Sequence, residues 1–350
     1  MKIVLISSGV YPVFPTGYGG LEQVVGDLAV CLDNLGHDVY VIGPSESDVG
    51  KYGKVNLIDM GPCNPNAHEW EQKAYEKYAP MLLSGEFRGA VIHDHSWRKF
   101  VYLLKMGNKH LNIMTTLHGM LCYQSPPPIE RPSLAGISKR HADLMSAGLG
   151  IPVRYAYNGV NLNKYKFNGG ARNDRYLFLA RITKFKGTHV FADAVKQIKA
   201  KGDIVGDDHM VEDRNYVQDM LVACNNYDGL KYWGGVARDR AVEFFRESKC
   251  YILPCTPGWE EPFGLTVIEA MACGCPVIGT VSGAIPELIQ HGKNGYIANS
   301  LQDLTIYMRD DMISAIKAED CRKRAEVFSR ENMAQSYLKL YAEVLEQGGW

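Results

Sequence analysis

The sequence predicts an α/β protein made of two doubly wound, Rossmann-like parallel-sheet domains. Three observations carry this reading. Short apolar runs alternate with segments of helical periodicity from the first residues onward. The pattern breaks at an Asn- and Gly-rich stretch, Asn158-Gly159-Val160 through Asn168-Gly169-Gly170, and restarts near Tyr176. A chain of 350 residues, 46% hydrophobic, is also long enough for two ordinary cores. Domains are expected over 1–165 and 166–328. A helix over 329–350 follows and can pack back on the first domain.

The first unit opens with a strand from Lys2 to Ser7. Leu21, Val24, Val25, Leu28, Leu32 and Leu35 then repeat at helical spacing until Gly36 closes the helix. Further strands are expected at Val39–Ile42, Ala90–Ile92 and Ile113–Thr116. In the second unit they are expected at Tyr176–Ala180, Cys250–Leu253 and Pro276–Gly279. The last helix places Met333, Tyr337, Leu340, Tyr341, Val344 and Leu345 on one stripe, with Ser329 as its N-cap. Two such domains joined by a hinge bring the carboxyl ends of both sheets to one crevice, where ligands of these folds bind.

Composition excludes several classes. With 38 Lys+Arg against 39 Asp+Glu, the formal charge of −1 offers no basic footprint for nucleic acid. The opening apolar run is too short for a signal peptide, and nothing reaches the length of a membrane span. Nine cysteines, several inside apolar runs (Cys31, Cys250, Cys273), suit reduced core thiols of a cytoplasmic protein. Cys273-Gly274-Cys275 lacks the second pair a structural zinc needs, and the local acids Asp207-Asp208-His209 and His93-Asp94-His95 are too few for a metal site. No metal or cofactor is expected. The run Trp97 to Lys105 has basic and apolar faces; peripheral membrane contact is one reading, and core packing is favoured.

The most informative stretch runs from Glu261-Pro262-Phe263-Gly264-Leu265-Thr266 through Glu269 to Gly274. A strand ends upstream at Leu253-Pro254, so Glu261 falls in a loop and Gly264 to Thr266 open a helix. Free amides and the helix dipole at such a start attract an anion. Gly264 lets a diphosphate approach the backbone. Glu269, more than a turn on, can accept two hydrogen bonds from a ribose diol, whereas Glu261 can reach a transferred sugar. After the first strand of the second unit, Arg181 and Lys186 sit five residues apart before Gly187; two fixed cations at the sheet edge can neutralise a diphosphate leaving group.

These residues resemble the retaining GT-B glycosyltransferases, specifically glycosyltransferase family 4, whose hallmark is E-x-F-G-L-x-x-x-E-A-M-A-x-G-x-P-V. The match runs through Pro276-Val277. The resemblance implies the GT-B fold and a nucleotide diphosphate sugar as donor. It assigns Glu269 to the ribose and Glu261 to the donor sugar, with Arg181 and Lys186 on the phosphates. Gly17-Tyr18-Gly19-Gly20 resembles the family's glycine loop, which puts Gly19 and Gly20 on the acceptor side. His118, ending Thr115-Thr116-Leu117-His118, matches a histidine near the donor sugar, and His95 resembles the acceptor-side His/Asp region. Val236, in Trp233 to Arg238, belongs to a glycine turn beside the nucleotide base. Ser282-Gly283-Ala284-Ile285-Pro286-Glu287 reads as a structural turn.

The function implied is sugar transfer, with retention and without a metal, from a nucleotide sugar (UDP favoured) to an unknown hydroxyl acceptor. A GT-B epimerase or phosphorylase and a nonenzymatic nucleotide-sugar-binding protein are the alternatives. A nicotinamide dehydrogenase is disfavoured, since the first loop has no clean G-x-G-x-x-G.

Overall fold

The structure is a computed structural model and describes residues 1–120, 127, 129–206 and 213–350. It divides into two compact units. The acids of Asp207-Asp208-His209, considered and set aside as metal ligands on sequence, lie outside the described residues.

The first unit comprises Met1–Pro15, Gly19–Gly159 and Arg330–Trp350. Its strands are β1 (Lys2–Ile6), β2 (Asp38–Gly43), β3 (Asn56–Asp59), β4 (Val91–Asp94), β5 (Asn112–Thr116), β6 (Leu134–Gly136) and β7 (Arg154–Tyr155). They form one parallel sheet in the order β3-β2-β1-β4-β5-β6-β7. Strand β1 lies inside the sheet between β2 and β4, and Ile3, Val4 and Leu5 are fully buried. Continuous apolar strands are what a sheet covered on both faces requires. The winding reverses between β1 and β4, so the loops leaving these two strands border the switch point of the sheet. The helix Gly20–Asn34 buries Leu21, Val24, Val25, Leu28 and Leu32 of the predicted stripe, whereas Leu35, its C-cap, is exposed; Gly36 follows in the left-handed conformation, with its amide donating to Asp33 O at 2.8 Å.

The helix Arg330–Gln347 packs on Gly20–Asn34, β4 and β5, so the carboxyl-terminal helix does return to the first unit. Met333, Tyr337, Leu340, Tyr341 and Val344 are buried, whereas Leu345 faces solvent at the margin of the stripe. Arg330 Nη1 meets Asp27 Oδ1 at 3.0 Å, both largely buried. In the run from Trp97 to Lys105, Val101, Tyr102 and Leu104 join the core, while Trp97 and Leu103 are exposed.

The second unit comprises Thr16–Tyr18 and Val160–Ser329. Its parallel sheet, in the order β10-β9-β8-β11-β12-β13, is formed by β8 (Arg175–Leu179), β9 (Lys201–Val205), β10 (Leu230–Tyr232), β11 (Cys250–Leu253), β12 (Val277–Thr280) and β13 (Gly295–Ala298). Residues 160–165, assigned to the first domain on sequence, count with this unit. The reason is local bonding: the Val160 amide donates to Phe328 O at 2.9 Å, and buried Tyr165 bonds Glu269. Among the described residues the cysteines are free, and no helix is long and apolar enough to cross a membrane.

Breaking a buried ion pair leaves its partner charge uncompensated. Arg330→Ala is therefore expected to destabilise the chain by about 3 kcal/mol; urea unfolding measures this, with Asp27→Asn in the same background recovering part of the loss.

Candidate functional site

The second unit gathers its charged groups at the carboxyl ends of two adjacent strands, β8 and β11. The loop after β8 carries Arg181 and Lys186 and turns at Gly187, whose φ of +77° no β-carbon tolerates well. A Cβ there would lie 1.9 Å from Pro254 O, so Gly187 lets this loop lie directly on the end of β11. The Thr256 amide donates to Phe185 O at 3.0 Å. The Phe185 ring stacks on Trp259, with centroids 4.7 Å apart. The cation loop is thus clamped to the glutamate loop on both its backbone and its side chains.

That clamp fixes an ion pair. Lys186 Nζ donates to Glu261 Oε2, and Trp259 Nε1 donates to the same oxygen at 3.0 Å. Burial works against both charges, but the mutual attraction prevails: Lys186 is held above its ordinary range and Glu261 below the usual carboxylate range. Lys186, expected on a phosphate, has its ammonium paired here with Glu261. Arg181, half-buried, adds to the field that keeps Glu261 ionised and makes no ion pair among the described residues. The Ser282 turn seats the same loop. The Glu261 amide donates to Ser282 Oγ at 3.2 Å, and the Ala284 amide donates to Glu261 O at 2.9 Å. Gly283 (φ +49°) leaves room where a Cβ would come within 2.1 Å of Glu261 O.

The helix of the glutamate motif spans Leu265–Ala272, with Gly264 as its N-cap at φ +97° rather than within its first turn. The place a Gly264 Cβ would take is bounded by Ile285 Cδ1 at 2.9 Å, so the turn and its packing both require glycine here. No side chain caps the helix start, and Tyr251 Oη lies 2.7 Å from Thr266 Oγ1. Phe263, expected at the donor, is 1% exposed and packs against Phe328; it belongs to the core. Pro262 and Leu265 are half-buried, as is Val236 before the helix Arg238–Glu247. Glu269 is buried, and its Oε1 accepts from Tyr165 Oη at 2.5 Å with Arg238 Nη1 at 3.6 Å. Trp259, Tyr165 and Arg238 were not singled out as site residues. Only Arg238 carried a signal, as a cation opening the helix beyond the Gly234-Gly235 turn.

The first unit holds the remaining candidates. Gly19, at φ +133°, caps the helix Gly20–Asn34, and a Cβ would lie 2.8 Å from Pro15 Cγ. Glu22, one turn on, is buried and accepts from the Ser8 hydroxyl. Gly17 and Tyr18, next to Gly19 in the glycine loop, count with the second unit. His95 follows β4 and His118 follows β5. Their rings meet, His95 Nδ1 to His118 Nε2, at 2.9 Å. His95 Nε2 lies 3.2 Å from His93 Nδ1. His93 in turn contacts Tyr341 Oη at 2.7 Å and Thr116 Oγ1 at 2.8 Å. Burial first, then neighbouring positive charge including Lys99, pushes His93, His95 and His118 well below the ordinary histidine range. Burial lowers His141 to about 4. Among the described residues no cluster of metal-binding side chains forms.

Two parallel-sheet units, with a lysine–glutamate pair and an uncapped helix start at the sheet edge of the second, define a glycosyltransferase of the GT-B fold. Residues 163–327 match the family described as Glycosyl transferases group 1, and residues 18–164 match Glycosyltransferase Family 4. The chain belongs to the group 1 glycosyltransferases of glycosyltransferase family 4. It is 30% identical over 198 residues to an uncharacterized glycosyltransferase of Methanocaldococcus jannaschii, covering 54% of this chain and 53% of that one. It is 27% identical to spore coat protein SA of Bacillus subtilis over 97% of this chain and 99% of that protein. Sucrose-phosphate synthase from Thermosynechococcus elongatus superimposes with a TM-score of 0.80 at 20% identity, over 99% of this chain and 100% of that one. Anabaena HepE in complex with UDP and glucose gives 0.72 at 18% identity, over 97% and 98%.

Two outcomes follow from this geometry. Trp259→Phe keeps the ring stack but removes a hydrogen bond to a charged oxygen, worth about 1.5–3 kcal/mol. Glycosyl transfer should fall about tenfold or more while the melting temperature stays within a few degrees, read by kinetics and calorimetry on the same sample. The second concerns acid. Histidines whose folded pKa is depressed bind fewer protons folded than unfolded, so stability is full above about pH 6.5 and declines towards pH 4. His141→Asn should reduce the slope of unfolding free energy against pH in that window by about one proton.

Proposed function

We propose that this chain is a retaining, metal-independent hexosyltransferase. It moves a sugar from a nucleotide diphosphate sugar, preferentially a UDP-sugar, to an acceptor hydroxyl in the cytoplasm. The observation that carries the reading is the state of Glu261. One oxygen is locked by Lys186 and Trp259, and Oε1 has no hydrogen-bond partner among the described residues. An ionised, immobilised carboxylate with one free acceptor atom is suited to grip a sugar hydroxyl. Beside it, the amides opening the helix Leu265–Ala272 and the Arg181 guanidinium offer positive potential to a diphosphate. Glu269 keeps Oε2 for the ribose diol while Tyr165 and Arg238 hold Oε1.

The bond from the anomeric carbon to the diphosphate oxygen breaks, and its electron pair stays on that oxygen. The acceptor oxygen bonds the anomeric carbon on the same face, and its proton passes to a phosphate oxygen. Arg181 and the helix amides of Gly264 to Thr266 stabilise the departing charge. Lys186 acts on it both by its own field and by fixing Glu261. His118 is assigned to the donor sugar, and His95, Gly19 and Gly20 to the acceptor. The UDP preference draws on the Anabaena complex; names among the other relatives include GDP-mannose, and another structure of this fold holds ADP.

Lys186→Ala should lower kcat/KM about 10²–10³-fold, as loss of a preorganised charge does, and Glu269→Ala should weaken UDP binding by calorimetry. Unchanged behaviour in both would remove the assignment. Proton NMR of the first product formed should show the donor's anomeric configuration, and EDTA should leave the rate unaltered.

A further inference from the structure

The buried polar chain behind His118 sets which of its ring nitrogens carries the proton. Tyr341 Oη is buried, and its one hydrogen-bond partner among the described residues is His93 Nδ1, at 2.7 Å. A phenol can donate or accept, but accepting here would strand its own proton in an apolar interior. Tyr341 therefore donates, and His93 Nδ1 is a bare lone pair. The His93 proton then sits on Nε2, which points at Thr116 Oγ1, 2.8 Å away. Thr116 Oγ1 in turn lies 3.1 Å from Tyr337 Oη.

The next link is the longer one. His95 Nε2 stands 3.2 Å from His93 Nδ1, with the two rings tilted by 43°. Two bare nitrogens at that separation would repel, so His95 carries its proton on Nε2, shares the His93 Nδ1 lone pair with the Tyr341 hydroxyl as the longer and weaker donor, and leaves its own Nδ1 bare. His118 Nε2 faces that bare nitrogen at 2.9 Å and must be the donor. The only proton left to a neutral His118 is spent on this bond. Its Nδ1 has no hydrogen-bond partner among the described residues, so it presents a lone pair. Charges facing the chain agree with three neutral rings: Lys99 is buried with its Nζ 3.0 Å from Thr116 O, and a further proton on His93 or His95 would set N–H against N–H.

We infer that Tyr341, Thr116, His93 and His95 are positioning residues that fix His118 as the Nε2–H tautomer, so that its Nδ1 meets the ligand as a hydrogen-bond acceptor. This rests on the assignment of His118 to the donor sugar, and it adds specificity. An acceptor nitrogen selects a sugar carrying a free hydroxyl at that position over one in which the hydroxyl is methylated or replaced by fluorine. The direction of the chain originates on the carboxyl-terminal helix, more than two hundred residues from the histidine it orients.

Nitrogen-15 NMR of the histidine-labelled full chain tests this directly, with His118→Gln assigning the resonance. The wild-type protein should show His118 in a single Nε2–H form, and Tyr341→Phe, which frees His93 to adopt either tautomer, should give a mixture at His118. The mixture halves the competent population and so raises KM for the donor about twofold, with kcat little changed. An Nδ1–H His118 in the wild-type chain overturns the inference, and so does a His118 tautomer unmoved in a folded Tyr341→Phe protein. The wild-type spectrum needs no variant other than the one used for assignment. His118→Ala with undiminished turnover would instead overturn the assignment of His118 to the sugar, leaving the tautomer result standing.

Discussion

The second unit depends on one short contact, the ion pair between Lys186 and Glu261. Both side chains are largely shielded from water, where an unpaired charge is costly, so each is tolerated only because the other is present. Much of the surrounding backbone serves to keep them together. Gly187 lets one loop touch the end of β11, Gly283 lets the Ser282 turn touch Glu261, and the Phe185–Trp259 stack closes the side. What reaches a ligand is then a carboxylate already oriented and already ionised, which spares the reorganisation a flexible side chain would undergo.

Sequence alone displayed the architecture well where strands are central. Lys2–Ile6, Cys250–Leu253 and Val277–Thr280 are apolar runs because both their faces are covered. It displayed β3, β7 and β10 poorly. Asn56–Asp59 and Arg154–Tyr155 are short edge strands without a fully buried side chain, so neither periodicity nor a long apolar run marks them. The helix Ala67–Leu83 escaped for a related reason: it is polar on most of its surface and carries Pro80 inside.

The site was legible as motifs but not as contacts. Glu261, Lys186 and Glu269 stand out by spacing, yet nothing local says that Lys186 bonds Glu261, or that Tyr165 and Arg238 hold Glu269. Those pairings join residues up to 104 positions apart, which only the folded sheet brings to one edge. Gly264 and Phe263 show a second limit: both stand inside the motif, yet the glycine also answers to its φ and the phenylalanine side chain to the core, needs that the motif does not separate from ligand contact.

The helix Arg330–Gln347 closes the first unit from the far end of the chain, and this orders events at the ribosome. The stretch 160–329 is continuous and emerges before residues 330–350, so the later-encoded unit can complete its core first. Meanwhile the amino-terminal sheet must wait with β4, β5 and the face of Gly20–Asn34 uncovered. Until residues 330–350 have emerged, that waiting surface is what a chaperone would encounter.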